Sequence, residues 1–205
     1  MEKFLALPQG KQRAIRNAAM DVFSRTGYKK AYVSEIAQAA EISKAMIFYY
    51  FGSKKSLYLY LLEYAYNEAT AAFSSLSSSA ESDFFDRILE STKLKISFLK
   101  THPALLRFVL SVYTEGDEEV AQEIQAYRIK CERFREDLVL SSLDCQKFKD
   151  SVDCRLVHKL LMQYARGYSE IGAFQGEPSL DDMAQEFAAT MDMLKRNFYK
   201  KEYLV

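Results

Sequence analysis

The sequence predicts an all-α protein in which a three-helix head at the N terminus precedes a larger helical domain. Apolar residues recur with the spacing of helix faces in each long segment, and no stretch alternates as a half-buried strand would. The chain has 205 residues with only seven glycines and three prolines, and 49% of it is hydrophobic. Such a composition favours long helices around a substantial core. We expect about nine helices.

An amphipathic helix opens the head. Its apolar positions share the i, i+3, i+4, i+7, i+8 spacing of one helix face, and they are Ile15, Ala18, Ala19, Val22 and Phe23. Gly27 follows them and is a natural residue to end the helix.

Residues 33–57 contain two short helical segments separated by a break of three to four residues. The first segment starts near Val33. Ser43 precedes the second and is predicted to cap it, and Gly52 ends it before Ser53 caps a third helix. Two short helices joined in this way are typical of a helix-turn-helix, whose second helix enters a DNA groove.

The second of these helices is predicted to have two distinct faces. Ile47 and Phe51 share the face that turns to the core. The opposite face carries Lys44, Ala45, Phe48 and Tyr49.

The head and the rest of the chain differ in net charge. Overall, 28 Lys and Arg residues balance 28 Asp and Glu residues, which alone would argue against a nucleic-acid partner. Residues 1–60, however, hold ten basic and four acidic residues, a net charge of +6 that leaves −6 for the remainder. Double-stranded DNA requires such a local positive potential, so the head is predicted to face it.

Seven head residues are candidates for DNA contact. Those expected in the groove are Lys44, Met46, Tyr49 and Tyr50, and those expected near phosphates are Ser43, Lys29 and Lys54. Alternatively, either tyrosine completes the core of the head, and Lys54 is a solvated surface lysine.

The motif residues of the head resemble the N-terminal signature of the tetracycline-repressor (TetR) family. The resemblance covers about residues 11–60 and rests on Gly27-Tyr28, Ile36-Ala37-x-Ala39-Ala40, Ile42-Ser43-Lys44, Phe48-Tyr49-Tyr50-Phe51, Ser53-Lys54 and Leu57. The chain departs from the usual family pattern at Ala31, Tyr32, Glu41, Ala45 and Phe48. Glu41 stands where a turn glycine is common, and its charge is expected to point away from DNA. The resemblance implies a dimeric repressor that a small-molecule inducer releases from its operator, and it favours a phosphate contact for Lys54.

Six further helices are predicted behind the head, at about 54–75, 81–101, 103–114, 117–142, 152–175 and 179–201. Pro103 suits the first turn of its helix. The run SSLSSS at 74–79 is the clearest linker. We expect residues 1–53 to form the DNA-binding domain and residues 54–205 the effector-binding and dimerisation domain.

The last two helices carry apolar stripes that could join two subunits in a four-helix interface. The candidate interface residues are Leu160, Tyr164, Tyr168, Phe187, Met191 and Leu194. The stripes could instead serve only the intrachain core, but the resemblance favours dimerisation. A dimer would let two heads read a pseudo-palindromic operator.

Aromatic residues of the middle helices could line an apolar effector cavity, and they are Phe98, Phe108, Tyr113, Tyr127, Phe134 and Tyr164. Aromatics at helical spacing are more often core than cavity, so both interpretations stay open. The inducer that the resemblance implies would then be a small hydrophobic compound.

The remaining patterns argue against other classes of protein. His102 and His158 are isolated, and no Gly-rich phosphate loop or metal-ligand spacing occurs, so neither catalysis, a cofactor nor a metal is predicted. Cys131, Cys145 and Cys154 are unevenly spaced and are expected to be buried or incidental thiols. No apolar window is long enough for a membrane span and no signal peptide is evident, so we expect a cytoplasmic protein. The rival function is a helical ligand-binding or scaffold protein without DNA binding.

Overall fold

A computed structural model describes residues 1–77, 83–140, 145–175 and 179–204. The predicted all-α class is confirmed. The ten α-helices of these ranges are α1 Glu2–Leu5, α2 Gln9–Lys30, α3 Val33–Ala39, α4 Lys44–Phe51, α5 Lys54–Ser77, α6 Phe84–Thr101, α7 Pro103–Thr114, α8 Ala121–Leu140, α9 Cys154–Gln175 and α10 Leu180–Phe198. Two 3₁₀ turns cover Cys145–Lys147 and Lys201–Tyr203.

The predicted ends of the helices behind the head lie within about four residues of the observed ends. For α7 the predicted and observed ends coincide. The predicted linker at 74–79 is wrong over its first part, because α5 continues through Ser77. Residues 78 and 79 lie outside the described ranges. Helix α1 was not predicted.

Gly27 interrupts α2, whereas the sequence predicts that the helix ends there. It takes φ 72° and ψ 166°, a conformation that L side chains rarely adopt, and one more turn follows to Lys30. The carboxylate of Glu115 accepts a hydrogen bond from the Tyr28 backbone N–H at 2.6 Å, and that of Glu119 accepts one from the Tyr28 hydroxyl at 2.7 Å. Burial and the Glu119 carboxylate raise the pKa of Tyr28 above its ordinary value. Glu115 and Glu119, which follow α7, therefore stabilise the last turn of α2 through these hydrogen bonds.

The described chain divides into two compact units. Unit 1 comprises 1–68 and 101–131, and unit 2 comprises 69–100 and 132–205. The head thus packs with α7 and the first half of α8. An aromatic cluster forms part of the core of unit 1, in which the Tyr58 ring lies 5.0 Å from that of Phe23, 5.2 Å from that of Tyr28 and 5.4 Å from that of Phe108.

The core of unit 2 joins α6, α9, α10 and the segment after α8. Its buried members are Phe84, Phe85, Ile88, Phe148, Cys154, Val157, Leu161, Phe187, Met191 and Tyr199. An isolated antiparallel bridge pairs Phe148 with Tyr199.

A disulfide joins Cys145 to Cys154 in unit 2. The expectation of incidental thiols is therefore wrong for this pair. The turn at Cys145–Lys147 and the core contact of Phe148 fold the chain back, so two cysteines nine residues apart meet. Cys131 of α8 is not part of the disulfide.

Among the described helices, none combines the length and apolarity that a bilayer span would need. Within the same ranges, no three His, Cys, Asp or Glu side chains cluster as the ligands of a metal ion would.

Candidate DNA-binding surface and effector residues

The turn between α3 and α4 gives the second helix of the pair its start. Glu41 lies in this turn with φ 54°, in the left-handed region that favours glycine. Ser43 then caps α4, because its hydroxyl oxygen accepts a hydrogen bond from the Met46 backbone N–H at 3.3 Å. This confirms the predicted cap. At the start of α3, by contrast, the N-cap residue Tyr32 makes no side-chain cap.

One face of α4 is buried in the head. Ile47 is fully buried and Phe51 is 6% exposed, as the sequence predicts. Tyr50 is also buried, at 7% exposed, and its ring lies 6.1 Å from that of Phe4. Tyr50 therefore completes the core of the head, which is the alternative that the sequence leaves open. The expectation that it contacts a DNA groove is wrong, because its ring packs against Phe4.

The opposite face of α4 is exposed, as predicted. Lys44 and Ala45 are open to solvent, Phe48 is 40% exposed and Tyr49 is 56% exposed. Tyr32 lies at the start of α3 and is 70% exposed. We name Lys44, Ala45, Phe48 and Tyr49 the aromatic–lysine face. Met46, a groove candidate, is half-buried.

Sequence reasoning missed the contribution of α1 to this surface. Phe4 is fully buried, with ring centroids 4.8 Å from Phe51 and 5.3 Å from Tyr60. It brings Lys3 to α4, where the ammonium lies 4.0 Å from the centroid of the Tyr49 ring. The apolar residues 4–7, just ahead of Pro8, are the only signal of this docking.

Buried Gln12 fixes the end of α1. Its side-chain amide donates hydrogen bonds to the carbonyl oxygens of Leu5 at 2.9 Å and Leu7 at 2.8 Å. These bonds satisfy carbonyls that a helix end leaves unpaired. The packing of Phe4 and the hydrogen bonds from Gln12 therefore hold α1 where Lys3 lies beside Tyr49.

Lys54 has partners within the protein. Its ammonium donates hydrogen bonds to the carbonyl oxygens of Tyr28 at 2.9 Å and Lys29 at 3.3 Å, and it lies 4.4 Å from the centroid of the Tyr28 ring. The sequence instead predicts that Lys54 contacts a DNA phosphate. The observed contacts form because the carbonyl groups at the C-terminal end of a helix such as α2 attract a cation. Lys29 itself is exposed.

Ion pairs offset part of the negative charge of the head. Glu35 of α3 pairs with the Arg25 guanidinium. Asp21 lies 3.3 Å from Arg107 and 3.9 Å from Arg25. The exposed cations Lys3, Lys29, Lys30 and Lys44 therefore keep their effect on the local potential.

The candidate effector residues divide between the units. Phe108, Tyr113 and Tyr127 belong to unit 1, where Phe108 is fully buried in the aromatic cluster around Tyr58. Packing in that cluster makes Phe108 a core residue rather than a cavity wall.

The other three candidates, Phe98, Phe134 and Tyr164, belong to unit 2 and are half-buried. The ring of Phe134 lies 6.2 Å from that of Phe73, and the ring of Tyr164 stacks on that of Phe187 at 6.0 Å.

The candidate interface residues also fall into different environments. Phe187 and Met191 are buried in the core of unit 2, so the intrachain alternative applies to both. Leu194 packs partly against that core. Leu160 is 59% exposed, whereas the side chain of Tyr168 lies outside the described residues.

Comparison with known proteins bears first on the head. Residues 15–61 match the family model described as "Bacterial regulatory proteins, tetR family". The HTH-type transcriptional regulator RutR of Escherichia coli is 42% identical over 52 residues, which are 25% of this chain and 24% of RutR. The HTH-type transcriptional repressor NicS of Pseudomonas putida is 40% identical over 60 residues, or 28% of each protein. The chain thus spans about a quarter of the length of the curated relatives it matches.

Solved structures resemble almost the entire chain in fold. A TetR family transcriptional regulator from Chloroflexus aurantiacus aligns over 98% of this chain and 99% of its own, with a TM-score of 0.71 and 20% identity. The regulator FadR of Bacillus subtilis, solved in complex with stearoyl-CoA, aligns over 87% of this chain and 96% of its own, with a TM-score of 0.68 and 15% identity. The head of the chain thus resembles regulators of the TetR family in sequence, and the chain shares the fold of solved TetR family regulators.

Proposed function

We propose that this protein is a cytoplasmic transcriptional repressor that binds a pseudo-palindromic DNA operator as a homodimer and releases it on binding a small hydrophobic effector. Residues 1–53 would serve DNA binding, and residues 54–205 would serve effector binding and dimerisation. The observation that carries the proposal is the exposed aromatic–lysine face of α4.

The chemistry of this face suits the major groove. The ammonium of Lys44 can donate to guanine O6 and N7, while Ala45, Phe48 and Tyr49 offer apolar contact to thymine methyl groups. Ser43 caps α4 and so fixes the helix end that would enter the groove. Lys3 supplies a cation beside Tyr49 that could meet a backbone phosphate.

Exposed apolar residues of unit 2 support the homodimer. Leu156 and Leu160 lie one helical turn apart on α9 and are 56% and 59% exposed, and Met193 of α10 is 54% exposed. Gly167 of α9 has open space where a Cβ would lie, which permits a close helix approach. Neighbouring exposed apolar side chains such as Leu156 and Leu160 could form part of an apolar contact between subunits.

A hydrophobic effector is supported by the relative solved with stearoyl-CoA. Half-buried Phe98, Phe134 and Tyr164 are aromatic side chains of unit 2 that an acyl chain could contact. A ligand favouring a dimer whose heads no longer match the operator spacing would release the DNA.

A mobility-shift titration against the DNA upstream of the protein's own gene tests the proposal. We expect a sequence-dependent complex that weakens at least about tenfold when Lys44 and Tyr49 are both replaced by alanine. Lys93→Ala, an exposed lysine of α6 in unit 2, is the matched control and should bind as the wild type does. Equal affinity of the double variant and the wild type would instead favour the helical ligand-binding or scaffold protein without DNA binding.

A further inference from the structure

The disulfide of unit 2 closes a short loop whose ends differ in exposure. Cys145 is exposed on the 3₁₀ turn, whereas Cys154 is 7% exposed and is the first residue of α9. Their Cα atoms are 5.9 Å apart, a separation common among disulfides. One sulfur is therefore accessible to small reagents and the other is held in the core.

The loop is anchored by contacts that do not involve sulfur. Phe148 is 2% exposed, and its ring lies 4.9 Å from that of Tyr199. The Lys147 ammonium donates to the carboxylate of Asp83 at 3.0 Å. Because an aromatic core contact and an ion pair hold the segment, the two cysteines should stay near each other when the bond is open.

Backbone hydrogen bonds add to this anchoring. The Lys149 N–H donates to the Phe198 carbonyl oxygen at 2.8 Å, and the Lys200 N–H donates to the Lys147 carbonyl oxygen at 2.9 Å. These two hydrogen bonds lie on either side of the isolated bridge between Phe148 and Tyr199. A pair of thiols kept adjacent by the fold can form and break a disulfide without unfolding the unit.

The two cysteines differ in the thiol chemistry open to them. Cys154 is held at the first turn of α9, near enough to Cys145 to bond with it. Exposure makes Cys145 the sulfur that an oxidant or a reducing thiol reaches first. The pair therefore combines an accessible attacking thiol with a nearby resolving thiol.

We propose that Cys145 and Cys154 form a reversible redox site whose oxidising substrate is hydrogen peroxide. The Cys145 thiolate attacks the peroxide oxygen, the O–O bond breaks, and the departing hydroxide takes a proton to become water. The Cys154 thiolate then attacks the sulfur of the resulting sulfenic acid. The S–O bond breaks, hydroxide leaves as a second water, and the S–S bond forms.

The electrons in this sequence balance. Two thiols lose two electrons and two protons, and one hydrogen peroxide is reduced to two waters. A dithiol such as dithiothreitol reverses the step by thiol–disulfide exchange. Closing the loop then restricts residues 145–154, which end at the first turn of α9.

Thiol counting on the folded, full-length chain tests the proposal. The reduced protein should show three thiols, and stoichiometric hydrogen peroxide should lower the count to one, with dithiothreitol restoring three. Cys131→Ser is the control and should still lose two thiols. Cys145→Ser should form no intramolecular disulfide, which non-reducing mass spectrometry of the peptides would show.

Thermal unfolding supplies a second measurement. Oxidation should raise the Tm of the wild type and of Cys131→Ser by about 5 °C or more, because the bond restricts the unfolded chain. The Tm of Cys145→Ser should not respond to oxidation. Since Cys145 is exposed, this variant should fold even if Cys154→Ser does not.

Three results would overturn the redox site: peroxide leaves all three thiols intact, the bond forms between chains, or dithiothreitol opens it only after unfolding. None of these readouts involves DNA. A failure here is therefore distinct from a failure of the proposed operator binding.

Discussion

Glu41 adopts a backbone conformation that its side chain disfavours. Its φ of 54° places it in the left-handed region, in the turn that precedes α4. Family members commonly have glycine there, so the departure from the family pattern has a measurable physical consequence. The residue also carries negative charge into a head whose net charge is positive.

Replacing Glu41 separates the backbone effect from the charge effect. Glu41→Gly should raise the free energy of unfolding by about 0.5–1 kcal/mol, because relief of strain exceeds the entropy that glycine adds to the unfolded chain. Glu41→Gln removes only the charge and should leave stability unchanged, while both variants bind the operator more tightly. Chemical denaturation and a binding titration check this, and an equal stability gain from glutamine would contradict it.

Lys44 and Lys54 illustrate why lysines of one motif need separate tests. Lys44 is exposed, whereas the Lys54 ammonium binds the carbonyls of Tyr28 and Lys29. Lys54→Ala should lower the free energy of unfolding by about 1–2 kcal/mol through the lost hydrogen bonds and cation–π contact, and it should leave the salt slope of DNA binding unchanged.

The comparison variant is Lys44→Ala. It should leave stability unchanged but lower operator affinity, because the proposed donor to guanine O6 and N7 is lost, and it should flatten the slope of log K against log salt, because one cation leaves the DNA interface. Titrations at several salt concentrations measure both slopes. A flattened slope for Lys54→Ala would restore the phosphate contact that its place in the motif suggests.

At the scale of elements, the glycine and proline residues of the sequence predicted several helix ends well. Pro103 and the break around Gly116 delimit α7, and Gly27 and Gly52 mark turns where φ is positive. The linker predicted at the serine run 74–79 is wrong over its first part, because the run contains no glycine or proline to stop α5 before Ser77. Helix α1 has four residues, too few for a periodic pattern to be recognised.

Helix α1 nevertheless makes a contribution that can be measured. Phe4→Ala should lower the free energy of unfolding by about 3–5 kcal/mol, because it removes a fully buried ring from among Tyr50, Phe51 and Tyr60. The neighbouring Leu5 is 55% exposed, so Leu5→Ala should change stability by less than about 0.5 kcal/mol. Equal losses in urea denaturation would show that α1 is not docked as described.

At the scale of the molecule, the sequence predicted the helical class and the head, but not which helices pack together. Phe108 was a cavity candidate by type, yet its partners Phe23 and Tyr58 come from other helices. The disulfide escaped prediction for the same reason, since cysteine spacing alone does not show that the chain folds back at Phe148. In each case a long-range contact decided the outcome.

Self-association is the prediction that depends on the whole molecule. Leu160→Glu should weaken the homodimer at least about tenfold, because it places a charge in the proposed apolar contact. Ile129→Glu substitutes a 40%-exposed residue of unit 1 and is the control. Sedimentation across a concentration series distinguishes them, and a wild type that is monomeric at every concentration would refute the proposed interface.

Selection of binding sites from a random library of DNA duplexes tests the central claim most directly. If the aromatic–lysine face of α4 recognises DNA once per subunit, the wild type should enrich an inverted repeat whose half-site centres lie about 34–36 Å apart or a multiple of it. The Lys44→Ala, Tyr49→Ala double variant should lose this enrichment. The same repeat enriched by the double variant, or no enrichment by the wild type, would contradict the account.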